Sequence, residues 1–184
     1  MSAAFETNFD GLTALRFGRY DVAYATENDA IAGPSVRGLA AVHLGRIAEA
    51  RKIAAQVPAA DFTQGYLAPL FKAELAQAAG NYDEAERWLD RSLANQRATF
   101  AAEMIPPIPT GEALGALRLK RGDIAGAIAA FRDTLEAYPN DPRALFGLAQ
   151  ALTVTGESAQ AAATRSHFEK EWEGADSNVQ DAFP

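Results

Sequence analysis

Apolar residues along this chain return every three or four positions. The clearest stretch runs Ile124, Ala127, Ile128, Phe131, Leu135 and Tyr138, a spacing that lays one apolar stripe along a helix and leaves its other faces to water. Asp123 precedes the stripe as an N-cap, since a short carboxylate accepts from amides that the first helical turn leaves unpaired, and Pro139 ends it. The preceding stretch, Ala113, Leu114, Leu117 and Leu119, has the same character, with Thr110 as its N-cap and Gly122 as its stop. The following one opens with Asp141-Pro142, an N-cap with proline at the first helical position, where the missing amide donor costs nothing. Two amphipathic helices joined at a glycine make a helical hairpin. Glycine suits the joint because a left-handed residue there costs other side chains about 1–2 kcal/mol.

That stop glycine belongs to a spacing that recurs five times: a small residue, glycine seven positions on, alanine five positions further. It reads Gly11-Gly18-Ala23, Gly38-Gly45-Ala50, Ala73-Gly80-Ala85, Gly115-Gly122-Ala127 and Ala149-Gly156-Ala161. Small residues on both sides of the turn let the paired helices approach closely, and a hairpin that cannot bury its stripe alone must stack on its neighbours. The pattern predicts an all-α chain of about ten helices in five hairpins, with no sheet.

Gly115, Gly122, Ala127, Phe131 and Pro139 sit at the intervals of the tetratricopeptide repeat, and Gly122 to Gly156 spans its 34-residue unit length. The chain resembles that family, and in layout it is similar to bacterial proteins built almost wholly of such repeats. The fifth unit keeps Leu145, Leu148, Ala149, Gly156 and Ala161 but carries Arg165 where a large apolar residue belongs, so its last helix is expected to pack through Ala161, Phe168 and Trp172 as a terminal element. In the third unit, Asn81 and Glu84 make a capping-box-like start, and Trp88, Leu89, Leu93 and Phe100 predict a second helix longer than usual. Pro69 places the start of that unit's first helix near itself and not at Asp61. The second unit keeps Gly38, Leu39, Gly45, Ala50 and Ala54, and the first only Gly11, Gly18, Tyr20 and Ala23. The expected layout is a single α-solenoid domain over 1–184, with degenerate repeats in 4–60, clear repeats in 66–172, an extended proline-rich insert at 103–109 and a tail at 173–184.

The resemblance implies a right-handed superhelical array of helix-turn-helix hairpins whose first helices line a concave groove, and a noncatalytic adaptor that holds a peptide or protein partner there. By the family's register the groove side carries Ser35, Leu39 and His43, then Leu70, Glu74 and Gln77, then Glu112, Ala116 and Lys120, then Arg143, Phe146, Gln150 and Thr153. The family's carboxylate-gripping variant uses lysine and asparagine at places where this chain has Leu39, Glu74 and Glu112, so an acidic chaperone tail is not the expected partner. Ile105 and Ile108 in the insert would contact a partner if exposed, and otherwise belong to a connecting loop. Two other classes stay open: a structural protein that assembles as a homo-oligomer, and an accessory or sensor subunit that binds a small ligand and modulates an enzyme.

Composition narrows the chemistry. The 184 residues are 48% hydrophobic and 22% charged, ordinary for a globular chain. With 24 acids against 17 bases and a net charge of −7, an electrostatic hold on nucleic acid or anionic lipid is not expected. No apolar run approaches the roughly 18 residues needed to cross a bilayer, and the opening Met1 to Glu6 lacks a secretory pattern. A cytoplasmic address is expected, or a periplasmic one if the chain is the mature remainder of a precursor. Cysteine is absent, and His43 and His167 share no metal-binding spacing. His43 is expected to face solvent near the end of a first helix, and His167 to flank the Phe168 and Trp172 stripe. Glu84 with Glu86 and Glu171 with Glu173 are two apart and point to different sides of a helix, and Ser92, Ser158 and Ser166 stand in no nucleophile context. No catalytic residue, metal or cofactor is expected.

Overall fold

The computed structural model describes residues 11–26, 33–58, 61–101 and 108–173, and among them every regular element is a helix. Residues 11–16 form α1, followed by α2 (Tyr20–Ala25), α3 (Gly33–His43), α4 (Ile47–Ala54), the short α5 (Asp61–Gln64), α6 (Leu67–Ala78) and α7 (Tyr82–Ala101). Then come α8 (Thr110–Lys120), α9 (Ile124–Ala137), α10 (Pro142–Val154) and α11 (Ser158–Glu171). The five predicted turn glycines, Gly18, Gly45, Gly80, Gly122 and Gly156, all lie in the left-handed region, at φ between 71° and 80°. They join α1 to α2, α3 to α4, α6 to α7, α8 to α9 and α10 to α11.

The chain divides into two compact units, Met1–Thr110 and Gly111–Pro184. In the first, α3 is central, packing on α2, α4 and α6, while α6 packs on α7. Here Gly38 of α3 lies directly against the ring of Phe71 of α6, since a Cβ at position 38 would lie 2.3 Å from that ring. As the extra apolar positions after Trp88 predict, α7 runs for 20 residues, against 14 in α9. Pro69 sits in the first turn of α6, where a proline displaces no helical hydrogen bond.

A polar row on α7 fastens two connecting segments. Asn95 donates to the Gly65 carbonyl at 2.7 Å, and Ser92 Oγ donates to the Tyr66 carbonyl at 2.7 Å and lies 2.8 Å from Thr110 Oγ1. Gln96 donates to the Ile108 carbonyl at 2.7 Å and accepts from the Thr110 amide at 3.0 Å. Thr110, expected as the N-cap of α8, is instead its first residue: its hydroxyl is turned to Ser92 and its amide is capped by Gln96. Ile108 is only 7% exposed, so the insert ends in a buried, hydrogen-bonded anchor and Ile108 presents no contact surface. Ile105 lies outside the described residues.

The second unit is organised around Phe131. Its ring is fully buried, and a Cβ at Gly115 of α8 would lie 2.5 Å from it, one at Gly147 of α10 2.3 Å from it. Two helices therefore close on the ring through their bare backbones. Asp123 caps α9 by accepting from the Gly126 amide at 3.0 Å, and Asp141 caps α10 by accepting from the Ala144 amide at 2.9 Å, as their positions before the apolar stripes predict. On α11 the buried residue is Ala161, while Phe168 packs on Phe146 and Trp172 with ring centroids 5.4 and 5.8 Å away. Arg165 is exposed, as suits a terminal helix.

A methyl group at position 147 must push the Phe131 ring aside. Overpacking of about 1–3 kcal/mol is set against a helix-propensity gain of about 1 kcal/mol for replacing glycine by alanine, so Gly147→Ala is expected to lose up to about 2 kcal/mol. In a double-mutant cycle measured by urea unfolding, Phe131→Leu should relieve part of that loss. Strict additivity would mean that the ring is not wedged against α10.

Candidate protein-interaction surface

First helices carry the candidate positions, and packing decides which of them reach the surface. In the first unit Ser35, Leu39 and Leu70 are buried at 1–2% exposure. Each lies where one first helix meets its neighbours, so these three are packing residues and offer a partner nothing. His43, Glu74 and Gln77 stay partly accessible. The His43 imidazole is not turned to solvent as expected: its side chain is 12% exposed and it stacks on Tyr20 of α2, with centroids 4.2 Å apart and planes within 1°. Its Nε2 lies 2.9 Å from Glu74 Oε2 of α6. That distance suits an ion pair when the ring is protonated, and this carboxylate oxygen is buried without a hydrogen bond. Tyr20, His43 and Glu74 thus tie three helices, α2, α3 and α6, into one polar seam.

In the second unit Glu112 and Arg143 are buried too, with Arg143 Nη1 3.8 Å from Glu112 Oε2. Their long polar side chains give no sign of this in the sequence; α8 and α10 bury them against each other. Truncating either would take an ion-pair partner from a buried charge, so neither serves as a surface probe. Ala116 is half-buried and Lys120 exposed at the end of α8. On α10, Phe146 is half-buried, and Gln150 and Thr153 are exposed on the same side, with the Thr153 hydroxyl donating to the Ala149 carbonyl at 2.7 Å. Val154, one turn beyond Gln150, extends this row and is 66% exposed. It escaped the register reading, although the i, i+4, i+8 spacing of residues 146, 150 and 154 marks it as part of the row.

Several other clusters are structural. Tyr24 donates to Glu49 and lies beneath the guanidinium groups of Arg37 and Arg46, 4.8 and 4.5 Å from the ring centroid, which fixes α2 to the second hairpin. The Lys72 ammonium stands 5.1 Å over Phe62 and 5.8 Å over Trp88, joining α5, α6 and α7. Both are cation–π contacts, and both escaped the sequence reading because their members lie far apart in the chain. Among the described residues, no group of three or more His, Cys, Asp or Glu side chains is placed to hold a metal ion, and no helix is long and apolar enough to cross a membrane.

Two tetratricopeptide repeat family profiles match the chain, one over residues 112–164 and the other over residues 70–91. No curated protein matches it significantly in sequence. Among solved structures, a crystal structure of MamA protein is similar at a TM-score of 0.58 and 17% identity, covering 92% of each chain. The structure of MamA MSR-1 C2 is similar at a TM-score of 0.56 and 16% identity, covering 92% of this chain and 97% of the other. At such identities the likeness is one of fold. Arrays of this kind present helix faces and form protein-interaction scaffolds, and this chain is built as one. The profile matches fall on the two stretches where glycine, alanine and aromatic spacing is most regular: the chain carries tetratricopeptide repeats over residues 70–91 and 112–164.

Proposed function

We propose that the chain is a noncatalytic adaptor whose first-helix faces receive an extended segment or a helix of a partner protein. The observation that carries this reading is the accessible row on α10. Phe146 forms an aromatic floor, Gln150 supplies an amide able to donate and accept, and Val154 forms an exposed apolar tip. A side-chain-reading surface needs this mixture, since apolar contacts give affinity while a few placed polar groups set register. Lys120 stands exposed at the end of α8.

Capture from the native host with the full chain as bait, followed by mass spectrometry, identifies the partner. Gln150→Ala and Val154→Asp are then expected to weaken binding by roughly fivefold or more each, the effect of losing about 1 kcal/mol at a contact. As surface changes they should leave stability within about 0.5 kcal/mol. Full-strength binding by both variants and by Lys120→Ala would move the contact off the first helices and defeat the proposal.

A further inference from the structure

We infer that the first hairpin, α1 with α2, is a strap across α3: two tyrosines pin it, and it opens as one piece while α3, α6 and α7 stay folded. Its hold on the core is slight. Across residues 11–26 the buried apolar side chains are Ala14, Leu15 and Ala23, while the larger Phe17 and Val22 face solvent at 61% and 37% exposure. The third hairpin, in contrast, buries Leu67, Leu70, Phe71 and Leu89. The free energy of a local opening rises with the apolar surface that the opening exposes, so α1 and α2 part from α3 more readily than α6 and α7 part from each other.

Polar and aromatic contacts do the holding, at two points of α2. Near its start Tyr20 stacks on His43 of α3. Near its end the Tyr24 hydroxyl donates to Glu49 of α4 and accepts from Arg37 Nη2 at 3.3 Å, while the Arg37 and Arg46 guanidinium groups lie over its ring. Hydrogen bonds and cation–π contacts at a wet edge are individually weak, since water replaces them when they break. The two pins stand four residues apart on a single short helix, so a change that loosens Tyr24 also loosens Tyr20. With the strap closed, the His43 side chain is 12% exposed beneath Tyr20; with it open, the imidazole returns to the accessible face of α3. A use for the strap follows, and it rests on the adaptor reading. A partner that reaches α3 would select the open form, with its affinity reduced by the fraction of chains that are open.

Two measurements on the full chain test the strap without a partner. In hydrogen exchange at neutral pH, the amides of residues 11–26 should be at least about 100-fold less protected than those of α6, because they exchange through the strap's own opening. Modification by diethyl pyrocarbonate, read by mass spectrometry, follows the imidazoles. The chain has two histidines, and His167, with its side chain 41% exposed, is the internal standard. His43 is held by Tyr20 and Glu74, whereas Tyr24→Phe removes only the hydroxyl that Glu49 and Arg37 engage, and Arg46→Ala only a cation over the Tyr24 ring. Each variant should nevertheless speed His43 modification and exchange in residues 11–26 together, by about fivefold, the effect of losing one such contact. Protection in α6 and modification of His167 should not move. Residues 11–26 as well protected as α6, or a His43 rate unchanged in both variants, overturns the inference. Either result leaves the adaptor reading untouched, because that reading is tested by binding at α10.

Discussion

Truncating Phe131 to alanine is expected to destabilise the second unit by about 3–5 kcal/mol. The upper part of that range is favoured by what surrounds the ring. A cavity heals when neighbouring side chains swing into it, but two walls of this one are the backbones of Gly115 and Gly147, which have no side chain to offer. Urea unfolding followed by circular dichroism gives the loss directly. Hydrogen exchange should place it, because stability in a repeat array is summed from each hairpin and its neighbours. Amides in α9 and α10 should lose protection while those in α3 and α6 keep theirs. A loss below about 1 kcal/mol would mean that α8 and α10 can close over the gap, against the packing described.

Gln96→Leu is expected to be nearly as costly although it keeps the side chain buried and close to its original volume. Gln96 satisfies the Ile108 carbonyl and the Thr110 amide at once, and the latter is one of the first-turn amides that a helix cannot satisfy internally. Stranding a buried backbone group costs about 1–3 kcal/mol, and here two are stranded. The melting temperature should fall by about 2–4 °C for each kcal/mol lost, and the Thr110 amide should exchange faster with solvent. Gln96→Glu separates the two contributions, since it keeps an acceptor for Thr110 but loses the donor to Ile108. Unchanged stability in both variants would show that water reaches the anchor and replaces the side chain.

What the sequence displayed was the hairpin and not its depth. Gly18, Gly45, Gly80, Gly122 and Gly156 could be read because a left-handed turn selects glycine whatever lies nearby, and Asp123 and Asp141 because a cap needs only its own first turn. Those requirements are local. The burial of Glu112 and Arg143 is not, because it depends on α8 and α10 lying side by side, and neither residue type announces a buried pair. The Tyr20–His43–Glu74 seam is hidden for the same reason, its members coming from three helices. Family register places a residue on a face of its helix, which was enough to reach Gln150 and Thr153. It does not say how far the next helix overlaps that face, which is why Ser35, Leu39 and Leu70 turned out to be packing residues. Ser92, plain in the sequence, takes its meaning from a backbone carbonyl 26 positions before it and a side-chain hydroxyl 18 after it.

The turns offer a further use. At Gly45, Gly80, Gly122 and Gly156 nothing stands within 4 Å of where a side chain would begin, and the next residues at three of them, Arg46, Asn81 and Asp123, are exposed. The protein also contains no cysteine. A pair of thiols introduced at the exposed Ala48 and Ala79, which flank two of these turns, would therefore be the only ones in the molecule, set where a dye displaces no charged or capping side chain. Fluorescence energy transfer between such dyes turns the edge of the hairpins into a ruler, able to report in real time how far the second and third hairpins shift when a partner arrives.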